Sequence, residues 1–519
     1  MSASISAAAD LRLPEPPPAG RPAPRCVVVS DRLPIELTRE GGKGWRVSPA
    51  HSALISALTP VLRERRGIWI GWPGVAEEEV AGLRKVLTGF IQEGGFSLRP
   101  VLLNAQEERL CYGGFSGEVV WPLFHDLPLE CGFNPSHWQA FLKVNRKFAR
   151  ATARTLARGA AGDLVWVHDH LLMNLAVELR RLDVSSRKAF FLHLPFPTPD
   201  LFRKLPWRER LLAGLLAFDQ VGFQTERDLG NFLACVQEIL PSAREARIGG
   251  GLWSVRGSIG GATFDLRTGA FPIGVDARQI GERAARPEVE ARAAALRDSL
   301  RDRQLVFGVD GMDRAKGIVE KLRAFAETLT RYPELQERVT LVQVAVPSRE
   351  GLPRHASLRA EIERLVGEIN GCFGRPGWVP VHYLYRALHP EELLAYYRVA
   401  DVAMLTPLKA GMHLGAKEFC AANLEEQGVL VLSEFAGAAS QLAAGALLVN
   451  PFDAQGVART LCRALRMKER ERKARMRRMR EEVRRHDISW WAGSFLAALA
   501  ERPGDAPAAG GSTRIPGIS

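Results

Sequence analysis

Long hydrophobic runs are missing from this 519-residue chain. No apolar stretch reaches the roughly 18 residues that a membrane-spanning helix requires, which excludes a helical membrane protein. Cysteine is sparse: the seven (Cys26, Cys111, Cys131, Cys235, Cys372, Cys420 and Cys462) include no C-x-x-C pair. That excludes a zinc ribbon or dithiol centre and reads as small buried residues of a reducing compartment. The opening segment, MSASISAAADLRLPEPPPAGRPAPR, has no apolar core behind a basic start. No secretory leader is expected, and the Pro/Ala bias predicts disorder over residues 1–25 and a cytoplasmic protein. Internal repeats are also lacking.

What the chain has in excess is positive charge, +12 in all. Lys468 to Arg485 carries ten basic and four acidic residues, half of that total. Met476, Met479 and Val483 recur there at helical spacing, predicting one amphipathic helix with a solvated basic face. No aromatic residue interleaves its arginines, so a stacking surface for single-stranded nucleic acid is not expected.

The length predicts two domains of roughly 200–250 residues. Short Val/Ile/Leu runs alternate with helical stretches: CVVVSD, GIWIGW, LVWVHD, AFFLHL and QVGFQT, then LVFGVD, VTLVQVAV, VHYLY, VAMLTP, VLVLSE and ALLVN. This is the pattern of parallel sheets covered on both faces, an α/β protein with two doubly wound sheets. The Gly-rich stretch ARIGGGLWSVRGSIGGATFDLRTGAFPIG reads as a hairpin-like insertion, because no helical pattern follows its glycines. The boundaries fall at 26–276 and 277–486, with a last helix over 487–503 bearing Trp490 and Trp491, and a disordered tail over 504–519.

Ligands of such sheets bind beyond the carboxyl ends of strands. The residues there are polar: Ser30-Asp31-Arg32, His168-Asp169-His170, His193, Lys316 and Arg349. His168, Asp169 and His170 do not make a metal site, because adjacent strand-end residues point different ways and no further ligands recur at metal spacing.

Eleven motifs in order, among them SDRLP, YGGFSGEVVWPLFH, WVHDHLLM, FFLHLPFPTPDLF, DRAKGI, TPLKAGMHLGAKE and VLVLSEFAGAASQL, resemble the trehalose-6-phosphate synthases over about Cys26 to Glu501. The resemblance implies a GT-B fold, two doubly wound Rossmann-like domains facing across a cleft. It further implies retaining transfer of glucose from a nucleotide-diphosphate glucose, UDP-glucose first among them, to glucose 6-phosphate, with no metal and no cofactor. By the same resemblance Arg32, Tyr112, Trp121 and Arg349 hold the acceptor phosphate and ring, while Asp169 and His193 line the reacting sugars. Lys316 contacts the donor diphosphate, and Met412, His413, Leu414, Gly415 and Glu418 hold the rest of the donor, with Lys417 beside Glu418. No membrane or nucleic-acid partner is implied, and a homo-oligomer is left open.

The chain departs from the family pattern on the donor side. Gly311 stands where the synthases carry an arginine, a loss of about 2–4 kcal/mol of transition-state stabilisation unless Arg314 substitutes. Pro49, Ala50 and His51 stand where a glycine loop is expected, and the nearest glycine pair, Gly41-Gly42, lies earlier in the chain. Ala410 replaces an aspartate that binds donor hydroxyls, a difference of about 1–3 kcal/mol. Three readings stay open: a synthase in which His413 or Arg314 compensates, a relative with another donor or phosphorylated acceptor, such as a glucosylglycerol-phosphate synthase or pseudo-glycosyltransferase, and a sugar-phosphate-binding paralogue with a regulatory role.

Overall fold

The computed structural model describes residues 25–40, 44–49, 53–77, 96–157, 162–347 and 353–500. Its strands fall in two sheets and a small ribbon. The first sheet contains β1 (Cys26–Arg32), β4 (Ile68–Trp72), β5 (Ser97–Pro100), β6 (Leu164–His168), β7 (Arg187–Phe191), β8 (Gln220–Phe223), β9 (Arg244–Gly249), β10 (Leu252–Ile259) and β11 (Ala262–Ala270). The ribbon pairs β2 (Ile35–Glu40) with β3 (Gly44–Pro49). The second sheet contains β12 (Gln304–Gly311), β13 (Val339–Val346), β14 (Val381–Leu384), β15 (Val402–Leu405), β16 (Val429–Ser433) and β17 (Leu447–Val449).

The second sheet is parallel throughout, in the order β14-β13-β12-β15-β16-β17. The first runs β5-β4-β1-β6-β7-β8-β11-β10-β9. Its first six strands repeat the same order, three strands outward one way and three the other. Each sheet therefore has a switch point, between β1 and β6 in the first and between β12 and β15 in the second, where a crevice opens at the strand ends. The Gly-rich stretch forms the meander β9-β10-β11, with Gly249 to Gly251, Gly260 and Gly261 at positive φ in its turns. It is hairpin-like, as its glycines predict, but β11 pairs parallel with β8 and extends the sheet.

Alternate residues of β1 serve different cores, as a period of two demands. Val27 and Val29 pack on the far face of the first sheet, while Cys26 and Val28 join a cluster that continues to Leu305, Phe307 and Leu432 of the second. A third cluster covers the second sheet's far face. Arg25 already belongs to the fold, its guanidinium 2.7 Å from Asp163.

Helices named below are α1 (Pro135–Leu156), α2 (Ile318–Arg331), α3 (Leu414–Ala422), α4 (Glu469–Arg485) and α5 (Ile488–Ala500). In α4, Met476, Met479 and Val483 are buried as their spacing predicts. Its basic face is solvated as expected, with Lys468, Arg470, Arg477, Arg478, Arg484 and Arg485 exposed, and Arg480 is the exception. Arg480 is 8% exposed and donates to the carbonyls of Cys420, Ala421 and Asn423, satisfying the carboxyl end of α3. Arg475 and Arg477 pair with Glu471 and Glu426. Arg480 is thus spent within the fold, while the Arg475 and Arg477 pairs lie at the surface.

The last helix crosses back to the first sheet. Trp491 and Phe495 of α5 pack against Trp166 with ring centroids 5.4 and 5.1 Å away. Gln220 Nε2 donates to Phe495 O at 2.8 Å. Each large side chain buried this way contributes about 1.5–3 kcal/mol. Trp490 instead meets His486 edge-on. No helix among the described residues is long and apolar enough to cross a membrane.

Candidate active site

Arg32 ends β1 and Asp169 follows β6, the two strands that flank the first sheet's switch point. The Arg32 guanidinium lies 4.9 Å from the Trp72 ring, and the Tyr112 ring lies 4.7 Å from the same indole. Tyr112 donates its hydroxyl proton to the Asp31 carbonyl at 2.6 Å. Cation, phenol and strand end are thereby braced as one unit.

A 13-residue π-helix, Glu108–Val120, delivers the aromatics. Its i→i+5 bonding winds at about 4.4 residues per turn, so Tyr112 and Trp121, two turns apart, come to nearly the same side. An α-helix would place them on opposite sides. Trp121 stacks on His125 at 4.3 Å, and His125 Nδ1 lies 2.8 Å from the Trp121 carbonyl.

Asp169 adopts φ of 70°, and its carboxylate accepts from the His170 backbone N–H at 2.8 Å. The His170 ring, 3.1 Å away, holds that carboxyl well below the usual range despite burial. Burial and the Asp169 charge push the neighbouring Asp31 the other way. Two carboxyls of one crevice therefore titrate apart. His168 and His170 do point to opposite sides: His170 reaches Ser116 at 2.7 Å, His168 reaches His193 at 3.3 Å.

His193 is not a strand residue. The strand β7 ends at Phe191, and His193 occupies the loop beyond. Its ring nitrogens lie 3.3 Å from His168 Nδ1 and 3.4 Å from Gln224 Nε2, so the side chain is held by the fold while its carbonyl faces the second sheet. A Cβ on Gly411 would stand 2.2 Å from that carbonyl oxygen, and one on Gly437 would stand 1.8 Å from the Gly411 oxygen. Only glycines allow this approach.

The donor-side residues follow β12 and β15, at the second switch point. Lys316 ends the short turn Arg314–Lys316, and Leu408 N–H donates to the Ala315 carbonyl at 2.8 Å, tying the two loops together. The Lys316 ammonium adds to burial in lowering two histidines, His413 beside it and His125 across the crevice, the latter to about 4. Lys316 thus lies between the two sheets. A second cation spans them as a pair, Lys409 to Asp126 at 2.7 Å.

The amino end of α3 opens at His413, whose φ of 74° lies in the left-handed region that asparagine and histidine tolerate best among larger side chains. His413 Nε2 is 3.8 Å from Asp310, a carboxylate held below its usual range chiefly by Lys321 at 2.5 Å. Gln343 Nε2 donates to Asp310 at 3.1 Å. His413 is therefore turned back into the protein, toward a buried polar cluster that reading the sequence did not find. Met412 is 4% exposed and can offer only its backbone, whereas Leu414 and Gly415 are half-buried in the first turn. First-turn N–H groups have no intrahelical partner and favour an anion.

Glu418 lies near Tyr397, whose hydroxyl its charge helps raise, and burial raises its own carboxyl. Lys417 does not join it: it is 1% exposed, and its ammonium donates to Ile273 O at 2.6 Å and Gln441 Oε1 at 2.5 Å, away from the crevice. Arg314 does not replace the missing arginine either, since both guanidinium ends bind Glu320, at 2.5 and 3.0 Å. At Gly311 an added Cβ would meet nothing within 4 Å, and Ala410 is 6% exposed, its backbone paired with Phe435 and Gly437. Arg349, Ala50, His51, Gly41 and Gly42 lie outside the described residues. Among the described residues no group of three or more His, Cys, Asp or Glu side chains could hold a metal.

Comparison with known proteins identifies the family and the fold. The profile of glycosyltransferase family 20 matches residues 24–501. The trehalose-6-phosphate synthase of Mycobacterium leprae is 42% identical over 483 residues, 92% of this chain and 95% of its own length. An E. coli structure bound with UDP-2-fluoro glucose has a TM-score of 0.80 and 33% identity, covering 92% of this chain and 98% of its own. A Burkholderia xenovorans α,α-trehalose-phosphate synthase (UDP-forming) in complex with glucose-6-phosphate has a TM-score of 0.80 and 32% identity, covering 92% and 100%. With both sheets matched, the fold is GT-B, two Rossmann-like domains across a cleft, and the chain belongs to glycosyltransferase family 20.

Proposed function

We propose that this chain is a retaining glycosyltransferase that moves glucose from UDP-glucose to glucose 6-phosphate, giving trehalose 6-phosphate and UDP, in the cytoplasm. The observation that carries the reading is the meeting of two chemistries at paired switch points. Arg32, Tyr112, Trp121 and Asp169 face Lys316, the amino end of α3 and Glu418 across one cleft. In this reading Arg32 forks onto the acceptor phosphate, Tyr112 and Trp121 flank its ring, and Asp169 binds a hydroxyl near the reacting carbon. Lys316 and the first turn of α3 stabilise the diphosphate as its bond to the sugar breaks, and Glu418 takes the ribose. The acceptor's anomeric oxygen forms the new bond, and its proton leaves with the diphosphate. The division at 26–276, 277–486 and a crossover helix from 487 follows from the same reading.

Incubation with UDP-glucose and glucose 6-phosphate, followed by mass spectrometry, should yield trehalose 6-phosphate. Lack of product, together with binding of glucose 6-phosphate but of no nucleotide by calorimetry, would sink the reading in favour of a sugar-phosphate-binding paralogue. A second reading rests on Gly311 and Ala410, where neither a cation nor a hydroxyl acceptor faces the donor. Faster turnover with ADP-glucose or GDP-glucose would support a different donor.

A further inference from the structure

Ile273 sits in the linker Phe271 to Val275 that carries the chain from the first sheet to the second, and its peptide groups are held from opposite sides. Its N–H donates to Gln224 Oε1 at 3.0 Å, and its carbonyl accepts from the Lys417 ammonium at 2.6 Å. Gln224 follows β8 of the first sheet, whereas Lys417 belongs to α3, one residue before Glu418. Both are 1% exposed. The return crossing lies against the same place: Ile488 N–H donates to Val275 O at 3.3 Å, and a Cβ on Gly274 would stand 2.3 Å from the Asp487 carbonyl carbon.

This arrangement decides where a proton resides. A backbone N–H can only donate, so the Gln224 atom facing Ile273 is the oxygen, and its amide nitrogen faces His193 Nδ1. Nδ1 must accept. Burial lowers both His193 and His168 from the ordinary histidine range, so each carries a single proton at neutral pH. The His193 proton is therefore on Nε2 and is donated to His168 Nδ1. Phe191 and Trp491 pack against the His193 ring.

We propose that Gln224 and Lys417 are positioning residues for sugar transfer: by gripping the two sides of Ile273 they hold His193, as its Nε2–H tautomer, in register with the donor-side helix α3. The inference rests on the reading of the cleft as a sugar-transfer site. A misplacement of about 1 Å at the reacting groups lowers a rate by about 100-fold, so a shared anchor that both sides hold has leverage on the chemistry.

Three variants test it. Gln224→Glu keeps an acceptor for Ile273 but offers His193 no donor, Gln224→Met removes both bonds, and Lys417→Met releases the other side. Each should lower kcat about 10- to 100-fold while KM for glucose 6-phosphate stays within about threefold. The double variant of Gln224→Met and Lys417→Met should lose less than the product of the single losses, because both act through Ile273. In protein labelled with ¹⁵N-histidine, the His193 resonances, identified by their loss in His193→Asn, should show an unprotonated Nδ1 in the wild type and a protonated one in Gln224→Glu. A protonated Nδ1 in the wild type, undiminished kcat in Gln224→Glu and Lys417→Met, or fully multiplicative losses would overturn the proposal. Absence of turnover in the wild type would overturn the reaction itself, with the Nδ1 resonance still deciding whether the grip sets the tautomer.

Discussion

The two sides of the cleft are built on the same strand order but solve different problems. On the first sheet the side chains are braced by aromatic contact: Arg32 and Tyr112 share Trp72, and Trp121 lies on His125. On the second sheet they are braced by buried charge, with Lys321, Gln343 and His413 gathered on Asp310. Aromatic bracing leaves the Arg32 cation exposed, as the proposed phosphate contact requires. Charge bracing turns the His413 side chain inward, which in the proposed reading leaves backbone amides and Lys316 to meet the diphosphate. This contrast accounts for the sequence departures gathering on the donor side. A site made of backbone and one cation tolerates changes at Gly311 and Ala410 without losing its fold.

The largest break in this comparison should come from Lys321→Met. Asp310 would then be a buried carboxylate without a counter-charge, and unfolding in urea should show a loss of about 3–5 kcal/mol. A loss under about 1 kcal/mol would mean that the charge cluster is not what holds the donor side.

Lys316→Ala should lower kcat by about 10²–10³-fold, as expected for removing a fixed charge from a leaving diphosphate. Arg32→Leu should instead raise the KM for glucose 6-phosphate by about 10- to 100-fold, the loss of one charged hydrogen bond, with UDP binding unchanged by calorimetry. Equal effects of the two on both substrates would erase the division of labour.

Gly311→Arg has open space to enter and should raise kcat/KM with UDP-glucose by about tenfold, partly restoring a cation contact. No gain would argue that this cleft is shaped for another donor.

The smallest effect is one of pH. Lys417 is lowered to about 7, chiefly by burial, against the opposing influence of Glu482 and Cys420. Between about pH 7 and 10 the unfolded chain binds the proton that the folded chain has released, so Lys417 contributes stability that grows as pH rises. The difference in thermal midpoint between wild type and Lys417→Met should therefore shift in the wild type's favour across that window. A constant difference would place the Lys417 ammonium in a more polar setting than its contacts imply.

Much of this was legible in order along the chain. The apolar runs marked the strands, with AFFLHL overextended past Phe191, because a strand's period of two is written locally in Val, Ile and Phe. The polar residues at strand ends marked the crevice, since ligand sites of doubly wound sheets follow from connectivity. The spacing of Tyr112 and Trp121 was not interpretable, because a π-helix, rare in proteins, is what aligns them. Adjacency in sequence suggests Lys417 as a partner of Glu418, but successive helix residues point about 100° apart.

Local pattern and short connections are enough to set the parallel strands of both sheets, the order of their motifs and the residue types at each switch point. Only the tertiary structure decided which charges are free to act. Arg314 is taken by Glu320, Arg480 by the end of α3, His413 by Asp310 and Lys417 by Ile273. A buried charge is governed by whatever partner the fold brings within a few ångströms, and that distance is set by packing across hundreds of residues of chain.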